Sequence, residues 1–366
     1  MKILQVNKLY SPWIGGIETV AQDIAEHFHG RDGARVVNLV CQPSGARKIG
    51  GVNGVPTYRA ASFGMAFGMP LSLDFFRLFK KLSADADVII LHHPFPIAFI
   101  AYRLFGKGKR VIVWYHSDIV RQNIAKAPFM PFIRAVLAAA EHILVSNEAI
   151  IKHSAVLKKF SDKCRVVRFG VDPARFRETG AIEKAEDEIR NEYGSPLILS
   201  VGRLVYYKGY SYLIDAIKDV PAHLLIVGSG PLRAALNAQI RRNGMGDKVF
   251  IVGSVDDLVP YYHACDVFAL PSCEPSEMFG IVQIEAMACG KPVVNTALPT
   301  GVPEVSVDGR TGKTVPPKDA PALAEALREI LSNKDEYDRF SANATREVAA
   351  RFTKEKFFAE MEHYLS

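Results

Sequence analysis

No apolar run in this chain reaches the roughly 18 residues that a membrane-crossing helix requires. The opening stretch, Met1 to Tyr10, alternates like a strand. It has neither the cationic start nor the long apolar centre of a signal peptide, so a cytoplasmic location is expected. Cysteine is scarce. Cys41, Cys164, Cys265, Cys273 and Cys289 are scattered and odd in number, with no CxxC pair and no spacing suited to zinc. That excludes a disulfide scaffold and a zinc module, and the five read as free thiols. Low-complexity tracts are missing too. No clustered Lys/Arg run is interleaved with aromatics, so nucleic acid is not an expected partner.

What remains is a globular composition, 49% hydrophobic and 23% charged, in 366 residues. One hydrophobic core does not grow to that size, so two domains are expected. Net charge is +6, unevenly spread: residues 1–172 hold 23 Lys+Arg against 12 Asp+Glu, and the remainder 22 against 27. The basic half suits an anionic partner such as phospholipid head groups or a pyrophosphate-linked substrate, or is simply a solvated basic surface.

Short β-branched runs alternate with helical patterns throughout, the signature of an α/β architecture with parallel sheets. In the first half the runs are Lys2–Val6, Arg35–Val40, Val88–Leu91, Val111–Trp114, Ile143–Val145 and Arg165–Val167, with a helix from about Ile17 to His29. After a charged helical stretch, Ala181–Glu192, a second series follows: Leu197–Val201, His223–Val227, Val249–Val252, Val267–Leu270 and Pro292–Asn295. The series resets near the turn Gly170-Val171-Asp172-Pro173, giving domains 1–172 and 173–352. A last helical segment, 353–366, carries Phe357, Phe358, Met361 and Tyr364 at helical spacing and needs a surface to pack on.

The strongest chemical signal runs from Glu277 through Phe279, Gly280, Ile281 and Val282 to Glu285. A loop passes here into a helix starting near Gly280, which leaves the amides of Phe279 to Val282 unpaired and oriented for a phosphate. Glu285, one and a half turns on, can hold a ribose diol through two hydrogen bonds. Glu277 can address a sugar. Upstream, Arg203 and Lys208 follow the strand Leu197–Val201; two cations at a strand's carboxyl end form a clamp for a diphosphate. Gly15 and Gly16 follow the first strand, where glycine lets a backbone approach a ligand or merely turns. His116 and Asp118 follow the strand Val111–Trp114, and His92 ends another. Asp85-Ala-Asp87 resembles a DxD metal motif but precedes its strand, so it reads as a solvated turn at the wrong sheet edge. Gly228-Ser-Gly230-Pro231 lacks the third glycine of a dinucleotide fingerprint. Two basic amphipathic segments, Arg121–Arg134 and Phe75–Leu82, either lie in a membrane interface or bury their apolar faces in a core.

The Glu277/Glu285 pair matches the E-x7-E element of retaining glycosyltransferases of family 4, and the flanking EAMACGKPVV matches with it. The resemblance covers nearly the whole chain and is sharpest from Arg203 to Pro317. MKILQVNKLYSPWIGGIETV, WYHSDIVRQ and LPTGVPEVSVDGRTGKTVPP resemble bacterial transferases that build O-antigen or exopolysaccharide units, some of them mannosyltransferases. It implies a GT-B fold of two Rossmann-like domains facing each other across a deep cleft. The first would bind the acceptor and receive the terminal helix, and the second a nucleotide-sugar. It implies Arg203 and Lys208 at the donor pyrophosphate, Gly15 and Gly16 near the phosphates and acceptor, Gly228 in a donor-pocket loop and Val255 near the base. It puts His116 beside the transferred sugar, with His92, Asp118 and Arg121 on the acceptor side. No metal or cofactor is implied; the donor is GDP- or UDP-linked, the bacterial resemblance suggesting mannose from GDP-mannose, and the acceptor is a lipid-linked glycan at the inner face of the plasma membrane. A nucleotide-sugar epimerase of the same fold and a non-catalytic sugar-nucleotide-binding protein are the alternatives.

Overall fold

The computed structural model describes every residue except 14, 67, 119–126 and 366. The chain divides into two units, Met1–Val167 with Phe358–Ser366, and Arg168–Phe357. Sequence reading put the junction five residues later, at the Asp172-Pro173 turn.

Unit 1 is built on β1 (Lys2–Val6), β2 (Arg35–Cys41), β3 (Lys48–Val52), β4 (Val55–Ala60), a small hairpin of β5 (Met65–Ala66) and β6 (Met69–Pro70), then β7 (Val88–His93), β8 (Arg110–Tyr115), β9 (His142–Val145) and β10 (Cys164–Val166). The main sheet has the order β10-β9-β8-β7-β1-β2-β4-β3. Every pairing is parallel except β3 with β4. A purely parallel sheet was expected, and β3 and β4 carried no clear signal: Lys48-Ile-Gly-Gly-Val is an exposed edge with two glycines and no buried face. All six residues of β7 are buried, as befits a strand covered on both faces.

The helix Gly16–Phe28 packs Val20, Ala21, Ile24 and Phe28 inward. Against it lies the end of the terminal helix, Lys354–Leu365: Phe358 stacks on His27 at 3.6 Å and meets Phe28 edge-on. The Arg110 guanidinium donates to the Leu365 carbonyl.

Of the two segments read as lying either in a membrane interface or on a core, Phe75–Leu82 packs its apolar face on the core. Helix Asp74–Ala84 turns Phe75, Leu78 and Phe79 into the core and exposes Arg77, Lys80, Lys81 and Ala84, with Phe76 and Leu82 half-buried. Its amphipathic period is that of a surface helix seated on a sheet. The other segment lies partly outside the described residues; its described part, helix Met130–Ala139, buries Ile133, Val136 and Leu137. Among the described residues no helix is long and apolar enough to cross a membrane.

Unit 2 holds β11 (Leu197–Val201), β12 (His223–Val227), β13 (Val249–Val252), β14 (Val267–Ala269), β15 (Val293–Thr296) and β16 (Gly312–Val315), in the order β13-β12-β11-β14-β15-β16 and parallel throughout. Its core joins Ile198, Leu213, Ile214, Leu224, Leu323, Leu327 and Phe340. In each sheet the first strand of the series lies inside, with its successor on one side and a later strand on the other. The order therefore reverses between β1 and β7 and between β11 and β14, and at such a reversal the loops leaving the carboxyl ends part and leave a crevice for a ligand.

Candidate active site

At the reversal in unit 2, the chain leaving β11 passes Gly202 and Arg203 and makes a 3-10 turn, Tyr206–Lys208. Gly209 closes that turn at φ 69°, a conformation that costs a side-chain-bearing residue more than glycine. A Cβ there would stand 2.0 Å from the Pro271 carbonyl oxygen. This tight approach presses Lys208 into the protein, where it is 8% exposed. Its Nζ lies 2.6 Å from Oε2 of Glu277, itself 9% exposed, and the Ser272 hydroxyl donates to the same oxygen at 3.1 Å. Two charges this deep are tolerable because each neutralises the other. Nearby, burial and the Glu277 charge push the Tyr210 phenol well above its ordinary range. Arg203 is different: its side chain is exposed and has no hydrogen bond or ion pair among the described residues.

The loop from β14 carries Glu277 and then Gly280, at φ 75°, from which the helix Ile281–Ala288 starts. Among the described residues no hydrogen bond takes up the amides of 279–282, and no side chain caps this helix. These are the donors that a helix start leaves for an anion. The Phe279 ring is buried edge-on to Phe169 and Phe352, so only its backbone is available. Gln283 anchors the start from within. It donates to the carbonyls of Phe279 and Val302 and accepts from Asn295, which also donates to Ser306.

Glu285 accepts a 2.6 Å hydrogen bond from Tyr262, and burial pushes its carboxyl above the ordinary range. Gly228 packs on the Gly202 carbonyl. Val255 is half-buried in the loop after β13, which a Ser254–Ser229 hydroxyl contact of 3.0 Å ties to the loop after β12. Ser272, Gln283, Tyr262 and Asn295 were not foreseen. Tyr262 and Asn295 reach their partners from other elements, whereas Ser272 lies five residues before Glu277 in one loop and Gln283 bonds the carbonyl four residues before it, spacings that mark no contact by themselves.

In unit 1 the strand register sets His92 opposite Trp114 and His93 opposite Tyr115. His92 Nδ1 and His116 Nε2 are 2.8 Å apart, their rings parallel within 8°. Burial holds His92 and His93 down at about 3. His116 is held well below its usual value by burial and then by the two neighbouring rings. All three are neutral at pH 7, so one ring of the pair donates to the other. Sequence reading gave His92 to the acceptor side; it is the hydrogen-bond partner of His116. Asp118 accepts from Tyr115 at 2.5 Å and from Ser154 at 2.8 Å, both at Oδ1. Arg121 lies outside the described residues. Gly15 precedes the helix in extended backbone, and a Cβ at Gly16 would meet nothing within 4 Å.

Asp85 and Asp87 are exposed before β7 and engage Lys2 through its ammonium and its amide. The one His–carboxylate group among the described residues with metal-like proximity is Glu178, Glu186 and His263. Two of its members already serve the fold, His263 toward the Phe176 carbonyl and Glu186 toward Arg190.

This geometry has known counterparts. Residues 182–347 match the family described as glycosyl transferases group 1, and 14–175 match glycosyltransferase family 4. The chain is 31% identical to the D-rhamnosyltransferase WbpZ of Pseudomonas aeruginosa, over 96% of this chain and 92% of that one. It is 30% identical to the O-antigen chain mannosyltransferase C of Escherichia coli, over 96% and 95%. Among solved structures, Anabaena HepE in complex with UDP superposes with a TM-score of 0.82 at 20% identity, covering 100% of this chain and 99% of that one. Fold and relatives define a hexosyltransferase of the GT-B class that serves glycan biosynthesis, which removes the epimerase and non-catalytic alternatives. Within that class the chain belongs to glycosyltransferase family 4, among bacterial mannosyltransferase-like members.

Proposed function

We propose that the protein is a retaining, metal-independent hexosyltransferase that moves mannose from GDP-mannose to a lipid-linked glycan at the inner face of the plasma membrane. The observation that carries this reading is the buried Lys208–Glu277 pair beside a helix start whose amides are unpaired. An ammonium has three donors, and Glu277 takes one of them; the others serve diphosphate oxygens. Arg203 adds a second cation and the amides of 279–282 a third set of donors. Together they favour the charge that grows on the leaving nucleoside diphosphate, the costly part of glycosyl transfer. Glu277, oriented by Lys208 and Ser272, holds the hexose. Glu285, steadied by Tyr262, holds the ribose. The neutral His116 gives the hexose a hydrogen bond. A departing phosphate oxygen takes the acceptor proton on the face from which it leaves, so no side chain becomes covalently attached. The open space over Gly16 gives a ligand close access to backbone.

Mannose and GDP are favoured by the relatives' names, which include a GDP-mannose-dependent phosphatidylinositol monomannoside mannosyltransferase of Mycobacterium tuberculosis, 32% identical over 78% of this chain. The test is transfer of labelled mannose from GDP-mannose to a lipid-linked glycan, with and without EDTA. Product with the α configuration of the donor and no loss of rate in EDTA is expected; inverted product contradicts the mechanism.

Membrane contact is assigned to the hairpin that precedes the amphipathic helix Asp74–Ala84, together with the cations of that helix. The hairpin of β5 and β6 and its flanks expose Phe63 (82%), Leu73 (67%), Leu71 and Met65, with no charged residue between Arg59 and Asp74. The helix that follows presents Arg77, Lys80 and Lys81. Exposed apolar side chains beside cations suit an anionic bilayer surface.

A further inference from the structure

His92, near the end of β7, and His116, just past β8, are both buried, and their rings meet in one particular way. The ring centres are 5.1 Å apart and the planes differ by 8°, while Nδ1 of His92 stands 2.8 Å from Nε2 of His116. So wide a separation of centres at so short an N···N distance places both nitrogens on the line between the rings. There a ring N–H and a ring lone pair point straight at each other, and the contact is an in-plane hydrogen bond, not a face-to-face stack. The backbone holds this geometry: the pairing of β7 with β8 runs on to His93 with Tyr115, and the His116 amide donates to the His93 carbonyl at 3.1 Å.

A neutral imidazole carries one proton, so two arrangements satisfy this bond. Burial keeps both rings from taking a second proton at neutral pH. If His116 donates from Nε2, His92 must carry its own proton on Nε2. That nitrogen is buried and has no hydrogen-bond partner, so an N–H would be orphaned there. If His92 donates from Nδ1, the same nitrogen is a bare lone pair. Orphaned N–H groups are rarer in protein interiors than unpaired acceptors, which favours the second arrangement. His116 then accepts at Nε2 and carries its proton on Nδ1, because the bond made by one ring nitrogen decides the state of the other.

We propose that His92 is a positioning residue for glycosyl transfer: its Nδ1–H donates to Nε2 of His116 and fixes His116 as the Nδ1–H tautomer, so that His116 meets the hexose as a donor and offers it no acceptor. This role presupposes that His116 bonds the hexose, and it adds a direction to that bond: the sugar presents an oxygen lone pair to His116, not a hydroxyl hydrogen. A packing role would demand less. Trp114 lies parallel to both rings, within 3° and 11°, and an apolar side chain of suitable shape could fill the place of His92.

The test reads the tautomer first. In the full chain labelled with 15N-histidine and saturated with GDP, long-range 1H–15N spectra, assigned by the signals lost in His116→Gln, should show His116 protonated at Nδ1 and bare at Nε2. The Nε2–H form, or exchange between the two forms, overturns the proposal without any variant of His92. Initial rates of mannose transfer from GDP-mannose then compare His92→Asn with His92→Leu. These two side chains have the same shape, so lost packing is common to both and only the amide donor differs. His92→Leu should lower kcat about tenfold at unchanged GDP affinity, the worth of one hydrogen bond in the transition state, and His92→Asn should recover most of that loss. Equal rates in the two variants, whether both slow or both like the parent, would reduce His92 to packing while the transferase reading stands. A parent that neither binds GDP nor transfers mannose would sink that reading, and this role with it.

Discussion

At the scale of single residues, the donor chemistry depends on how few groups surround each charge. Removing one partner from a buried ion pair leaves the other uncompensated, at a cost of about 3–5 kcal/mol. Lys208→Ala should therefore lower stability to urea by about that amount as well as slow transfer. Glu277→Gln keeps a group for Ser272 to bond but leaves the Lys208 ammonium uncompensated, and should slow transfer by about 10²-fold or more and lower stability by about 3–5 kcal/mol, read from initial rates and urea unfolding. The histidines make a pH prediction. His92 and His93 are held at about 3 when folded, against about 6.5 unfolded. Between those values the unfolded chain binds more protons, so stability is full above pH 6.5 and falls as pH drops. The loss is about 1.4 kcal/mol per pH unit for each ring. Melting temperatures should decline from pH 7 to pH 5, and a flat profile would contradict neutral buried rings. Glu277, Glu285, Arg203 and Lys208 were legible as a spaced motif. Tyr262 was not, because a hydrogen-bond partner supplied by another helix leaves no trace in local spacing, and Ser272 and Gln283 were not, because a polar side chain four or five residues from its partner is common in any loop or helix start.

At the scale of elements, parallel strands carrying an apolar run announced themselves: Lys2–Val6, Leu197–Val201, His223–Val227 and the edge strand Val249–Val252 were read with the bounds they have. The edges Lys48–Val52 and Gly312–Val315 did not. Gly312–Val315 is four residues long, begins with glycine and is only half-buried at its centre, too little pattern to separate from a turn. Helix Asp74–Ala84 illustrates a second limit. Periodicity says which face is apolar but not what covers it, and here the sheet does. Elements also carry the site through their ends. A Cβ at position 280 would lie 2.7 Å from Leu270 and 2.8 Å from Gln283, on a backbone at φ 75°. Gly280→Ala should cost about 1–3 kcal/mol in urea unfolding and weaken donor binding, because strain there shifts the amides that face the phosphate. Wild-type stability in that variant would mean that the loop tolerates a right-handed backbone.

At the scale of the whole molecule, each unit repeats one design: a parallel sheet whose order reverses beside its first strand, with polar groups clustered on the loops at that reversal. The two-domain α/β architecture was evident from the alternation of short apolar runs with helical ones, and the charge division marked the first half as basic. Phe63→Ser with Leu73→Ser should reduce cosedimentation with anionic liposomes severalfold while leaving GDP binding intact; undiminished sedimentation would place the contact elsewhere. The account stands chiefly on a nucleoside diphosphate held by Lys208, Glu285 and the amides of 279–282. Calorimetric titration of GDP and UDP into the protein and its Lys208→Met variant addresses this directly. One nucleotide should bind the parent, and the variant should bind it about 10–100-fold more weakly, the worth of a charged hydrogen bond. Equal affinity in the variant, or no binding of either nucleotide by the parent, would contradict the account.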